Sequence, residues 1–203
     1  MPNLTPDMLV WAYSRGIFPM ASSRGGEVSW YSADPRGVLP LEEGGAGGFR
    51  VPRSLRRRVA RGDFHVTRDR AFGRVIRACA EPRSYAEETW INEEIIEVYV
   101  ALHTAGLAHS VEAWRDERCA ELLGGLYGVT LGGAYFGESM FSRATDASKV
   151  CLVHLVEHLQ RQGFSLLDTQ FKTEHLAQFG VIEIPRAEYL KRLERALRLQ
   201  VGW

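Results

Sequence analysis

The sequence predicts an α+β fold, with helices early, an antiparallel meander in the middle, and further helices around one more strand at the end. Three features carry this expectation. In several stretches apolar residues recur every three or four positions, as a helix with one buried face requires. Between residues 109 and 136 three consecutive stretches instead read as strands, the last two separated by a tight glycine-containing turn. Finally, 45% of the 203 residues are hydrophobic, enough to bury a core in one large domain or two unequal ones.

Taken in order, Thr5 or Asp7 can cap a first helix whose apolar face is Leu9, Val10, Ala12 and Tyr13, with Gly16 and Pro19 ending it. Val28 to Tyr31 reads as a strand, and Asp34-Pro35-Arg36-Gly37 as a turn. Glu42 to Gly48, EEGGAGG, is a linker. Helices are expected from Arg53, over Ala71 to Ala80 and over Asn92 to Ala105, with a strand at His65 to Thr67. The meander comprises His109 to Trp114, Leu122 to Val129 and Gly133 to Phe136. Asp146 caps a helix that runs through Gln162 and stops at Gly163. Phe164 to Gln170 is then a buried strand, Thr173 to Phe179 a short helix, Ile182 to Ile184 a strand, and a last helix starts at Pro185.

The formal net charge is zero, but the charges are not evenly spread. From Phe49 to Arg83 the chain carries a net +8, all of the positive charge being arginine, and from Ser84 to Glu121 a net −7. Such blocks either neutralise each other across solvated faces or leave a basic footprint for phosphates. Cys79, Cys119 and Cys151 are too scattered for a disulfide framework or a zinc site. The start, MPNLTPDM, lacks a secretory pattern, and the uncharged run Leu122 to Gly137 is too short to span a bilayer. A cytoplasmic protein without a membrane partner is expected.

Phosphate loops, dinucleotide fingerprints, nucleophile elbows and metal-spaced His and Cys clusters are all missing, so an enzyme of this sequence would act on a substrate that arrives already activated. The segment Gly137-Glu138-Ser139-Met140-Phe141-Ser142 is expected at the end of a strand. There Glu138 is either an amine ligand or general base, or a surface carboxylate. In Ser165 to Gln170, a spacing of two puts Asp168 and Gln170 on one strand face, where they either bond one another and the backbone or face a cleft. Trp90 lies between the basic and acidic blocks and offers a ring on which a base could stack. None of the six histidines is assigned a catalytic role.

As a set these residues are more specific than singly. Ala12-Tyr13-Ser14-Arg15-Gly16-Ile17-Phe18-Pro19, Asp34-Pro35-Arg36, Thr89-Trp90-Ile91, Ala108 to Glu112, Gly137 to Ser142, Asp168-Thr169-Gln170 and Ile184-Pro185-Arg186 occur in this order. Together they resemble the leucyl/phenylalanyl-tRNA protein transferases over nearly the whole chain. The resemblance implies a small N-terminal α/β domain, residues 1–45, and a larger domain, 46–203, with an acetyltransferase-like fold and a mixed, mainly antiparallel sheet. It implies that Leu or Phe, and less well Met, moves from aminoacyl-tRNA to the N-terminal Arg or Lys of an acceptor protein, which is thereby marked for degradation, with no cofactor.

Carried over residue by residue, Gln170 accepts a hydrogen bond from the attacking amine, Asp168 holds the Gln170 amide, and Glu138 engages a substrate amino group. Leu126, Tyr135 and Leu167 form the side-chain pocket, with Ser139, Met140 and Ser142 as further substrate contacts. Trp90 stacks the terminal adenosine, and Arg53 and Arg57 face the tRNA backbone. The chain departs from the pattern at Met20, where many members have tryptophan, and at Leu126, where methionine is usual. The second change shifts discrimination by about 1 to 3 kcal/mol. Thr169 stands where cysteine is common, and the chain starts later and ends earlier than longer members. Two other readings compete: an acyl-coenzyme A enzyme, which needs a glycine-rich pyrophosphate loop, and a tRNA-binding module without catalysis, for which Asp168 and Gln170 would be dispensable.

Overall fold

The computed structural model describes residues 4–42, 48–82 and 89–203. Residues 43–47 of the expected linker, with the expected boundary at 45, lie outside them, as do Arg83, Glu87 and Glu88 of the charged blocks.

Helix α1 (Pro6–Tyr13) is capped by the Thr5 hydroxyl, which accepts from the Met8 amide at 3.3 Å, and it buries Leu9, Ala12 and Tyr13. Strands β1 (Phe18–Ala21) and β2 (Val28–Tyr31) form a small antiparallel sheet. β1 was not expected, because Pro19 reads as a breaker; in a two-stranded ribbon its missing donor is tolerated.

Strand β3 (Arg36–Leu39) corrects the expected turn at 34–37: Arg36 and Gly37 are already strand residues. β3 lies in a seven-stranded sheet with β4 (His65–Arg68), β5 (Ala108–Trp114), β6 (Leu122–Leu131), β7 (Ala134–Ser142), β8 (Leu166–Gln170) and β9 (Ile182–Ile184). The order is β4-β5-β6-β7-β8-β3-β9. Every neighbouring pair is antiparallel except β7 and β8, which are parallel. The architecture is thus α+β with a mixed, mainly antiparallel sheet, as expected. β3 precedes residue 45 in the chain yet pairs with β8 and β9, so hydrogen bonds tie that part of the chain into the larger body.

Helices cover both faces. On one side α1, α3 (Phe72–Cys79), α4 (Glu93–Thr104) and α7 (Arg186–Leu197) supply Tyr13, Phe72, Tyr99 and Tyr189 to one core. On the other, α2 (Arg53–Arg61) and α5 (Ala147–Gln162) supply Leu55, Val153, Val156 and Leu159 to a second. Successive strand residues alternate between the two cores, as Tyr135 and Phe136 or Leu166 and Leu167 do. Each large side chain so enclosed stabilises the fold by about 1.5 to 3 kcal/mol.

Three local features prepare a site between β7 and β8. Their ladder ends at Phe136 opposite Asp168, while both strands run on, so a notch opens beyond that point. Opposite β6, Tyr127 faces Ser139 and Gly128 faces Gly137, which leaves Glu138 the extra residue of a bulge. Opposite β3, Gly37 faces Gln170 and Val38 faces Asp168, which leaves Thr169 as another. The expected strand end at Phe136 is therefore corrected: Gly137 to Ser142 continue β7 along the notch, paired with β6 on one edge and open on the β8 edge, where polar residues are tolerated. The short α6 (Glu174–Ala177) closes the segment after β8.

Gly37 is where the turn after β8 presses on the sheet. A Cβ there would sit 2.6 Å from the Phe171 carbonyl carbon and 2.9 Å from the Lys172 nitrogen, both rigid main-chain atoms. Gly37→Ala is therefore expected to destabilise the protein by about 1 to 3 kcal/mol, read as a lower midpoint in urea unfolding; an unchanged midpoint would show that the Phe171 segment yields freely.

Candidate active site

A cavity of about 1030 Å³ opens at the notch. It gathers most of the residues singled out from the sequence: Trp90, Leu126, Glu138, Ser139, Met140, Ser142, Leu167 and Gln170 all line it. Met20 lines it too, as do Leu152 and Leu155 of α5, which sequence reasoning missed. Their signal was the apolar spacing of α5, indistinguishable from that of an ordinary core helix.

Four expected participants lie elsewhere. Tyr135 shares a core with Leu126 and Leu167, but it precedes the point where β7 and β8 part, so it stays fully enclosed. Its hydroxyl donates to the His109 carbonyl at 3.4 Å, and it does not line the cavity. Arg53 and Arg57 sit four apart on the exposed side of α2, with no ion pair to a described carboxylate. Among the described residues, the basic block meets the acidic one in the exposed pair Arg77 and Glu93. Much of its charge is thus left for other partners.

Asp168 is the fourth. It is fully buried and does not line the cavity. Its carboxylate takes a two-pronged hydrogen bond from Arg36, Nε to Oδ1 at 2.9 Å and Nη2 to Oδ2 at 2.6 Å. The Tyr189 hydroxyl donates to Oδ2 at 2.7 Å, and the main-chain amide of Gln170 donates to Oδ1 at 2.9 Å. The expectation that Asp168 holds the Gln170 side-chain amide is thus corrected: Nε2 of Gln170 is buried and has no partner among the described residues. Asp168 instead fixes Gln170 through its backbone, in the left-handed conformation with φ of 56°. For a residue with a Cβ that conformation costs of order 1 kcal/mol or more and persists only when the surroundings impose it.

Arg36 is the principal residue that sequence reasoning missed. Its guanidinium, without solvent contact, also donates to the Gly16 carbonyl at 3.0 Å and lies between the rings of Phe18 and Tyr189. Burial alone would lower its pKa, but the hydrogen bonds and charge of Asp168 raise it, so Arg36 stays cationic. Gly16 accepts this bond with a φ of 71°, and a Cβ on it would strike the Tyr189 ring at 2.6 Å. The available signal was an arginine leading directly into the apolar Gly-Val-Leu run, a charge that burial obliges to find a partner.

Glu138, raised on its bulge, accepts from the Tyr13 hydroxyl at 2.6 Å and from the Tyr99 hydroxyl at 3.0 Å; the two phenol oxygens also lie in contact, and a third bond between them needs the proton of a neutral Glu138, because each phenol has only one. Burial pushes the Glu138 carboxyl up to about 7, with the negative charge of Asp168 acting in the same direction, against the two phenolic bonds. Burial and the proximity of Glu138 push both phenols well above their ordinary range, so they remain donors. At neutral pH Glu138 is thus poised between a neutral acid and a carboxylate that can take a proton.

Comparison with known proteins gives the family. The family model described as leucyl/phenylalanyl-tRNA protein transferase matches residues 45–194, and the model of that family's N-terminal domain matches residues 2–34. The leucyl/phenylalanyl-tRNA–protein transferase of Paramagnetospirillum magneticum is 55% identical over 204 residues, covering 100% of this chain and 93% of its own. That of Salinibacter ruber is 52% identical, covering 100% of this chain and 85% of its own. Among solved structures, that titled "The structure of L-PGS from Bacillus licheniformis" overlaps 84% of this chain and 55% of its own at 13% identity with a TM-score of 0.41, a distant likeness. Over nearly all of its length, then, this chain is a member of the leucyl/phenylalanyl-tRNA protein transferase family.

Proposed function

We propose that this chain transfers leucine or phenylalanine, and less well methionine, from aminoacyl-tRNA to the N-terminal arginine or lysine of acceptor proteins, marking them for degradation. The observation that carries this reading is that one cavity joins an aromatic platform, Trp90, to an apolar floor, Leu126, Leu152, Leu155 and Leu167, with Glu138 and Gln170 beside them. Those are the surfaces that an aminoacyl-adenosine and an incoming amine require. The described residues include no helix long and apolar enough to cross a membrane. We place the reaction in the cytoplasm, where charged tRNA is found.

In the reaction the neutral α-amino nitrogen of the acceptor bonds to the ester carbonyl carbon of the charged tRNA. The ester oxygen leaves to become the tRNA terminal hydroxyl, one amine proton is lost, and the hydroxyl gains one. The ester supplies the driving force, so orientation is the enzyme's main contribution and is worth about 7 to 11 kcal/mol. Gln170, held in its strained conformation, positions the amine, and ionised Glu138 takes up its proton or charge. Asp168 does not touch substrate; it positions Gln170. Trp90, with Met20 beside it, holds the adenosine, Ser139, Met140 and Ser142 border the aminoacyl group, and Arg53 and Arg57 meet tRNA phosphates.

An acyl-coenzyme A reading is disfavoured because the sequence has no glycine-rich strand-to-helix loop whose backbone amides could hold a pyrophosphate.

The primary test is transfer of labelled leucine from leucyl-tRNA to a peptide beginning with arginine, with a glycine-initial peptide as control. Labelling of the arginine peptide alone is expected; no labelling from leucyl- or phenylalanyl-tRNA would leave a tRNA-binding module instead. The rate should rise with pH in two limbs, near 7 as Glu138 ionises and near 8 as the amine loses its proton. Glu138→Gln should abolish the lower limb and keep the upper one, and a profile unchanged by this substitution would remove Glu138 from the chemistry. Asp168→Ala leaves Arg36 buried without its counter-charge, a loss of about 3 to 5 kcal/mol of stability. Below the lowered melting temperature it should abolish transfer while charged-tRNA binding persists, and near-normal transfer would exclude the positioning role.

A further inference from the structure

Resting on the reading above, an acceptor that begins with arginine or lysine must bring a cationic side chain to the cavity together with its α-amino group. That cation gives up part of its hydration as the reacting centre closes, and a carboxylate at the cavity edge is the group that compensates it. Among the described residues three glutamates border the cavity: Glu81, Glu138 and Glu174.

Two of these are committed. Both oxygens of Glu81 accept from Arg143, at 2.7 and 2.9 Å. Both oxygens of Glu138 accept from tyrosine hydroxyls, and its place beside Gln170 suits the α-amino group. Glu174 differs from both. It is solvent-exposed at the first position of α6, and its carboxylate makes no hydrogen bond or ion pair with a described residue. The Thr173 hydroxyl accepts from the Leu176 amide at 3.3 Å, which fixes the turn that carries Glu174.

Four residues earlier stands Gln170, whose orphan amide donor awaits an acceptor such as the ester carbonyl oxygen and so places the reacting centre on this side of the cavity. It is only 7% exposed, and its Nε2 lacks a partner. Neighbouring cations do not pre-empt the place. Lys172 does not line the cavity. His175 does, but its burial, reinforced by Lys149, lowers its pKa, so it is neutral at pH 7.

We propose that Glu174 selects the acceptor: its carboxylate pairs with the guanidinium or ammonium of the N-terminal arginine or lysine, while Glu138 and Gln170 hold the α-amino group. The consequence is a division of labour along the cavity, with charge recognition on α6 and chemistry on β7 and β8.

The test is steady-state transfer from saturating leucyl-tRNA to peptides that differ only in their first residue: arginine, lysine, or citrulline, the neutral isostere of arginine. For Glu174→Gln the KM for the arginine and lysine peptides should rise about tenfold or more with kcat within about twofold, and the citrulline peptide should be unaffected. Glu174→Asp, which keeps the charge, should recover most of the loss. An unchanged KM for the arginine peptide, or an equal rise for citrulline, overturns the assignment while wild-type transfer still upholds the reaction. A wild-type protein that modifies none of the peptides overturns both.

Discussion

The ion pair between Arg36 and Asp168 is the interaction on which the rest of the molecule depends. Neither group meets solvent, so each is tolerable only because the other is present, and the additional bonds from Tyr189, Gly16 and the Gln170 amide satisfy what the pair leaves over. Through those bonds it joins four separate pieces of the chain: the turn after α1, strand β3, the end of β8 and helix α7. It also supplies the force that keeps Gln170 in a backbone conformation it would not adopt alone.

The cavity is a product of irregularity in an otherwise regular sheet. A continuous ladder between β7 and β8 would leave no notch, and a bulge-free β7 would turn Glu138 to another face of the sheet. The two bulges place the extra residues Glu138 and Thr169 on strands that flank one opening. The geometry of the cavity therefore rests on register, which the well-packed halves of the strands enforce through Tyr135, Phe136, Leu166 and Leu167.

Much of this was legible in the sequence. Helices with one apolar stripe and strands with apolar runs match their expected ends to within a residue or two where α4 and β5 are concerned, whereas β7 runs six residues past its expected end. Glu138 and Gln170 stood out because polar groups beside apolar strand residues need partners, Trp90 because it lies between the charged blocks, and Leu126 only through the family resemblance. What could not be read has physical causes. Arg36 and Asp168 are 132 residues apart, and nothing local to either one names its partner. Strand periodicity assigns Tyr135 to the face of Leu126, but it does not say where the ladder stops, and that decides whether a side chain on this face meets substrate or core. Bulges obey no period at all, and β1 was hidden by its proline.

The position of β3 carries a consequence for synthesis. A ribosome releases Arg36 long before Asp168 and Tyr189, and the two strands that flank β3 are β8 and β9, both made late. Until they emerge, β3 has no neighbours and its arginine no counter-charge, so the nascent chain holds its early segment in waiting. Activity cannot switch on gradually during translation; it arrives when the late strands close around β3. A ribosome-bound fragment that stops before Asp168 therefore lacks both the counter-charge of Arg36 and the strand end that carries Gln170.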